Sequence, residues 1–109
     1  MRDHRLIDER SLAFDRLTAT KLAENPALLD RARASLRRWL ATASPRVRPV
    51  LLEWQQLLDG PSAELMAVLA GTDERATRLR QSSPFAGLLS VAERTAIIRE
   101  FQRRESTAA

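Results

Sequence analysis

The apolar residues of this chain recur at intervals of three and four and never alternate at two. Across 109 residues, no segment carries the period-two run of β-branched and aromatic side chains that a half-buried strand needs. Leu28, Leu29, Ala32, Leu36, Trp39 and Leu40 instead follow one face of a helix. That spacing, with Pro and Gly at regular breaks, predicts an all-α, single-domain bundle of six or seven helices over residues 1–109.

The breaks set the expected elements. A first helix over residues 5–23 carries Leu6, Ile7, Phe14 and Leu17 on one face with Ala13 beside them, while Leu12 and Leu22 lie off that stripe. So broad an apolar girdle means either burial among several helices or a side that faces a partner. Asn25-Pro26 stops this helix and opens a second that runs to about residue 41, and the pair is expected to form an antiparallel hairpin over residues 5–41. Residues 42–48 read as a linker, and shorter helices occupy residues 49–104. Pro49 starts the third, with Leu51, Trp54, Leu57 and Leu58 inward; Leu65, Met66, Val68 and Leu69 mark the fourth, ended by Gly71. Thr72 or Asp73 caps the fifth, with Ala76 and Leu79 inward and Arg75, Arg78 and Arg80 largely outward.

The stretch 78–101 is the most sharply punctuated. Ser83-Pro84 is a helix-start signal, and Phe85, Leu88 and Leu89 form a compact apolar knot around Gly87. Ser90-Val91-Ala92-Glu93 fits the capping box, and Val91, Ile97, Ile98 and Phe101 continue as a stripe to about residue 104. Residues 105–109 read as a frayed tail. The expected core is Leu36, Trp39, Leu51, Trp54, Leu57, Phe85, Leu88, Ile98 and Phe101.

Composition narrows the class. Apolar residues are 44% and charged residues 29%, the balance of a globular protein rather than a disordered one. There is no cysteine, which removes disulfides and thiolate metal sites. No apolar run approaches the ~20 residues that span a bilayer, and the charged start MRDHRLIDER has no apolar core of a secretory signal. The expectation is a cytoplasmic protein of bacterial type, with no membrane partner.

The net charge of +4 is unevenly spread. Residues 1–25 balance; residues 26–48 hold six Arg against Asp30 alone; residues 49–74 hold five acids and no base; residues 75–104 hold seven Arg against Glu93 and Glu100. Blocks of this kind either pair with each other in the fold or present a basic face to nucleic acid or an acidic protein.

The catalytic inventory is thin. His4 is the only histidine, tyrosine is absent as well as cysteine, and there is no glycine-rich phosphate loop. The acid pairs Asp8/Glu9 and Asp73/Glu74 sit at polar helix starts, where they favour the helix dipole. No enzyme, cofactor or metal is expected. Trp39 and Trp54 fall on apolar stripes and read as core; Trp39 follows Arg37-Arg38, the setting a base-stacking platform would want. Residues 63–81 invite a helix-turn-helix reading, with Ala67 and Gly71 four apart. The apolar pair Ala76 and Leu79 stands one place early for that motif.

RLRQSSPFAGLLSVAER, with ENPALLDRARASLRRWL upstream, resembles a pattern in small helical bacterial proteins similar to antitoxins encoded beside nucleotidyltransferase-type toxins. The resemblance spans most of residues 5–101. It implies a non-catalytic chain that binds a cognate toxin and occludes it, with arginines meeting the carboxylates that a nucleotidyl-transfer site uses for metal. The expected partner-binding residues are Arg33, Arg37, Phe14 and Leu17. The alternative is a transcriptional regulator that binds operator DNA through Arg75, Arg78 and Arg80.

Overall fold

The computed structural model describes residues 4–108, apart from the side chains of His4, Ala86 and Ala108. Six α-helices are joined by short links: α1 (His4–Glu24), α2 (Leu28–Thr42), α3 (Arg48–Asp59), α4 (Ser62–Ala70), α5 (Glu74–Arg80) and α6 (Val91–Ala108). One 3₁₀ turn, Ala86–Leu88, lies between α5 and α6, and there is no strand among the described residues. The chain is all-α, as the spacing of its apolar residues requires.

Leu22, Leu36, Leu51, Trp54, Leu65, Leu69, Leu79 and Phe85 share one core. At its centre Trp54 and Phe85 meet edge to face, ring centroids 5.4 Å apart and planes at 82°. The Trp54 Nε1–H donates to the Leu79 carbonyl at 2.9 Å, which satisfies the indole's one polar atom at 0% exposure. The knot at 85–89 therefore does anchor the C-terminal segment, by inserting Phe85 and Leu88 into the body of the bundle.

Five expectations need correction. Trp39 is 38% exposed and outside the core, because Leu36 and Leu40 take the inward side of that turn of α2 and leave Trp39 off it. Ile98 is half-buried, since α6 lies against α1 on one side only, and Val91 is 82% exposed because the first turn of α6 meets α1 through Glu93 and Arg94 instead. The helices α1 and α2 are not a hairpin: α1 packs chiefly against α4 and α6, and α2 against α3. The link 25–27 is itself hydrogen-bonded turn by turn, with Asn25 N–H on Lys21 O and Leu29 N–H on Pro26 O. The reversal comes at residues 43–47, and the true hairpin is α2/α3. Finally, α6 runs on through the expected tail to Ala108.

Helix ends follow local chemistry only in part. The capping box forms as read: Glu93 N–H donates to Ser90 Oγ at 3.1 Å, and Ser90 N–H donates to Glu93 Oε1 at 2.7 Å. Ser83-Pro84 opens a short turn of helix rather than a full α-helix, as the start signal before the knot suggests. Ser83 Oγ accepts the Phe85 N–H at 3.3 Å, and a single 3₁₀ turn follows. Gly71 stands where two helices close in. A Cβ there would lie 2.7 Å from the Ala67 carbonyl oxygen and 3.3 Å from the Ala76 Cβ.

Candidate partner interfaces

The charge blocks pair with each other to a large degree, and the pairing decides which arginines remain for a partner. Arg80 is the extreme case. Expected outward, it is 6% exposed; its Nε donates to Asp15 Oδ2 at 3.0 Å and its Nη2 to the Gly71 carbonyl at 2.7 Å and the Val68 carbonyl at 3.3 Å. A guanidinium fork suits three acceptors that come from a helix and the turn after another. Asp15 lies on the face of α1 that packs into the bundle, and burial raises its carboxyl to about 6 against the opposing pull of Arg80. Arg78 makes a two-pronged pair with Glu53, at 2.8 and 3.3 Å, which holds that carboxyl below the usual carboxylate range. Of the three arginines placed on the helix-turn-helix reading, Arg75 alone is exposed without an ion pair. The helix that carries them has seven residues.

Arg33, placed in the partner site, is likewise committed. It donates to Leu58 O at 2.7 Å, Asp30 Oδ1 at 3.1 Å and Asp59 Oδ1 at 3.3 Å, tying α2 to the last turn of α3. Arg37 is exposed. Phe14 and Leu17 are half-buried, and the Arg94 guanidinium covers the Phe14 ring at 5.1 Å. The structure does not bring these four residues together as one surface.

It does leave two other surfaces open. One is a groove between α1 and α6. These helices run antiparallel: Lys21 meets Glu93 at 2.8 Å, Phe14 meets Arg94, and Leu6 shares a cleft with Gln102 and Glu105. On one flank of the pair, Leu12, Ala13, Ala96, Ile97 and Phe101 floor a groove of about 790 Å³, with Glu9, Arg16, Glu100 and Arg104 on its rim. The α1 residues fall at i, i+3, i+4 and i+7, so one stripe of the helix lies open along two turns. The girdle of α1 thus serves both ends of its first description: Leu22 is buried in the core at 2%, and Ile7 near the other end is 40% exposed. Sequence reasoning set Leu12 aside as off-stripe, and the signal that could have found it was the small residue beside it, Ala13.

The second surface is the outer face of α2. Among the described residues, Arg31, Arg38, Arg46 and Arg48 have no carboxylate within ion-pair distance. Comparison with models of protein families, with curated proteins and with solved structures finds no match. No helix of the described chain is long and apolar enough to cross a membrane.

Proposed function

We propose that this chain is a non-catalytic binding partner of another protein, the antitoxin of a toxin–antitoxin pair, and that it docks its toxin through the α1/α6 groove. The observation that carries the reading is the groove itself, an apolar floor of Leu12, Ala13, Ala96, Ile97 and Phe101 between two antiparallel helices. Such a floor fits a third helix laid along it, with apolar anchors at three- and four-residue spacing. Ala13 and Ala96 let a backbone come close, and the mixed rim of Glu9, Arg16, Glu100 and Arg104 favours a helix whose flanks carry both signs. Arg16, exposed on the rim of that groove, is a group free to meet carboxylates of a nucleotidyl-transfer site. The operator-binding alternative fares less well, because Arg80 is buried and Arg78 is held by Glu53.

Co-expression with the product of the neighbouring gene tests the reading, with co-purification and rescue of growth as readouts. Ala96→Arg fills the groove from an exposed helical position and leaves the core alone. The expected result is a stable complex and rescue with the native chain, and loss of both with Ala96→Arg at unchanged helicity. Absence of any complex or rescue with the native chain overturns the function; persistence of both in Ala96→Arg overturns the groove as its site.

A further inference from the structure

We propose that the outer face of α2 is a binding surface for single-stranded nucleic acid, with Trp39 as the stacking platform and Arg31, Arg38 and Arg48 as the phosphate contacts. It is a different surface from the α1/α6 groove and does not depend on that reading.

Three observations meet at this face. First, its charge is uncompensated. Several other cations are matched to acids, Arg80 with Asp15, Arg78 with Glu53, Lys21 with Glu93, and Arg33, on the opposite side of the same helix, with Asp30 and Asp59. Arg31 and Arg38 have only neutral acceptors, Gly87 O at 3.5 Å and Ser35 Oγ at 3.1 Å, and Arg48 reaches Leu40 O at 3.0 Å. These bonds leave most of each guanidinium's five donors free.

Second, the residues are in register. Arg31, Ser35, Arg38 and Thr42 stand at i, i+4, i+7 and i+11, one stripe of the helix, and Trp39 is the next residue after Ser35 on the adjoining row. Arg48 Nη1 bonds the Leu40 carbonyl, which brings its charge to the same end of α2 as Trp39. Arg37 points to the α3 side, where it lines a small cleft with Gln55 and Asp59, and is not part of this face.

Third, the face has a ring and a track. Trp39 is the one tryptophan with an accessible surface, 38% exposed against 0% for Trp54. Beside the stripe, Arg31, Ser35 and Arg38 line an open groove of about 270 Å³ whose other wall is Pro84, Gly87 and Leu88. Gly87 has open space where a Cβ would be, so that wall is low. A positively charged groove with an exposed indole on the adjoining row of the same helix is the arrangement that holds a flexible polyanion by its phosphates and stacks one base. An acidic protein would use the arginines but has no need of a bare indole among them. A duplex offers no unstacked base for the ring.

The test uses the full chain and labelled single strands of about 12 nucleotides, a site size within the range for such grooves. Binding is read by fluorescence anisotropy and by quenching of tryptophan emission at several salt concentrations from about 50 mM upward. The expected result is saturable binding, quenching of the exposed tryptophan, and a slope of log affinity on log salt near −2, about −0.7 for each of three phosphate contacts. Trp39→Leu should lower affinity on the order of tenfold, while Trp39→Phe, which keeps a ring, retains most of it. Arg38→Gln should flatten the salt slope by about 0.7. Arg75→Gln, an exposed arginine on α5, should change neither. The proposal is overturned if no strand binds at about 50 mM salt, if Trp39→Leu binds as the native chain does, or if Trp39→Phe loses as much as Trp39→Leu. Equal competition by polyglutamate, or equal binding of duplex, would also overturn it and leave a generic basic face suited to an acidic protein or to DNA.

Discussion

Arg80 on α5 and Asp15 on α1 form an ion pair with both side chains 6% exposed, 65 residues apart in the chain and 3.0 Å apart in the fold. The guanidinium also closes the Val68 and Gly71 carbonyls at the end of α4. One side chain thus ties three elements together. Arg80→Met should destabilise the fold by about 3 kcal/mol or more, because it leaves a buried carboxylate without its cation. Arg80→Lys should recover little, since an ammonium cannot span those three acceptors in one plane. Asp15→Leu combined with Arg80→Met should be more stable than Arg80→Met alone, as the orphaned charge is gone. Urea midpoints at neutral pH check all three.

The same pair sets a pH dependence. Burial raises the Asp15 carboxyl from 3.8 to about 6, so the folded state holds a proton that the unfolded chain releases. Stability from this group is fully present below about pH 4 and is lost as pH rises through about 6, an amount up to about 3 kcal/mol. Glu53 and Glu93 are shifted down, so their stabilisation is lost in the opposite direction, as pH falls below the ordinary carboxylate range. Between about pH 4.5 and 6.5 Asp15 is therefore the group that gives unfolding free energy its slope. Carboxyl-detected titration should place Asp15 as the highest of these three, and Asp15→Asn should flatten the stability profile across that window.

Much of this was legible in the sequence, and what was not has a physical pattern. The helix count, the capping box at Ser90 and Glu93, and the inward face of α3 all rest on periods and caps that act within a few residues. The errors concern which neighbour an element finds. Trp39 lies on the same stripe as Leu36, yet Leu36 and Leu40 take the inward side of that turn and Trp39 is left exposed. Arg80 follows Arg75 and Arg78 on a short helix, and nothing local says that Asp15, on a helix far earlier, is its partner. Arg33 and Arg37 look alike in sequence; the first is hydrogen-bonded to the end of α3 and the second lies beside it, exposed. The open stripe of α1 runs through Leu12 and Ala13 rather than Phe14 for the same reason, since the Arg94 guanidinium of α6 covers the Phe14 ring.

Glu93 joins a local cap to a tertiary contact. Its Oε1 accepts the Ser90 N–H at 2.7 Å and the Lys21 ammonium at 2.8 Å, and Lys21 also donates to the Leu88 carbonyl at 2.6 Å. Ser90→Ala should cost about 1 kcal/mol, the usual value of an N-cap side chain. Glu93→Gln keeps an oxygen for the Ser90 N–H and loses only the charge toward Lys21, so it should cost less than Glu93→Ala. Salt should narrow the gap between Glu93→Gln and the native chain, because the pair is partly exposed. A double-mutant cycle with Lys21→Met isolates the tertiary part; coupling indistinguishable from zero would leave the cap as the residue's whole contribution.

The two tryptophans should report different things. Trp54 is fully buried against Phe85, while Trp39 is open to solvent. In Trp39→Phe the remaining emission should be blue-shifted and resistant to acrylamide until the protein unfolds. In Trp54→Phe the remaining emission should be red-shifted and readily quenched in the native state. The second change also has an energetic consequence. The Leu79 carbonyl loses the Trp54 N–H but keeps the Ser82 N–H at 3.1 Å, so it is not orphaned. The cost is then one hydrogen bond plus the volume difference between indole and phenyl in a close-packed site, about 2 kcal/mol. Trp39→Phe should stay within about 0.5 kcal/mol of the native chain, as a substitution outside the core. Quenching of both single-tryptophan proteins to the same extent would mean that the core around Trp54 is open, and the packing of α3 against α5 and Phe85 would have to be redrawn.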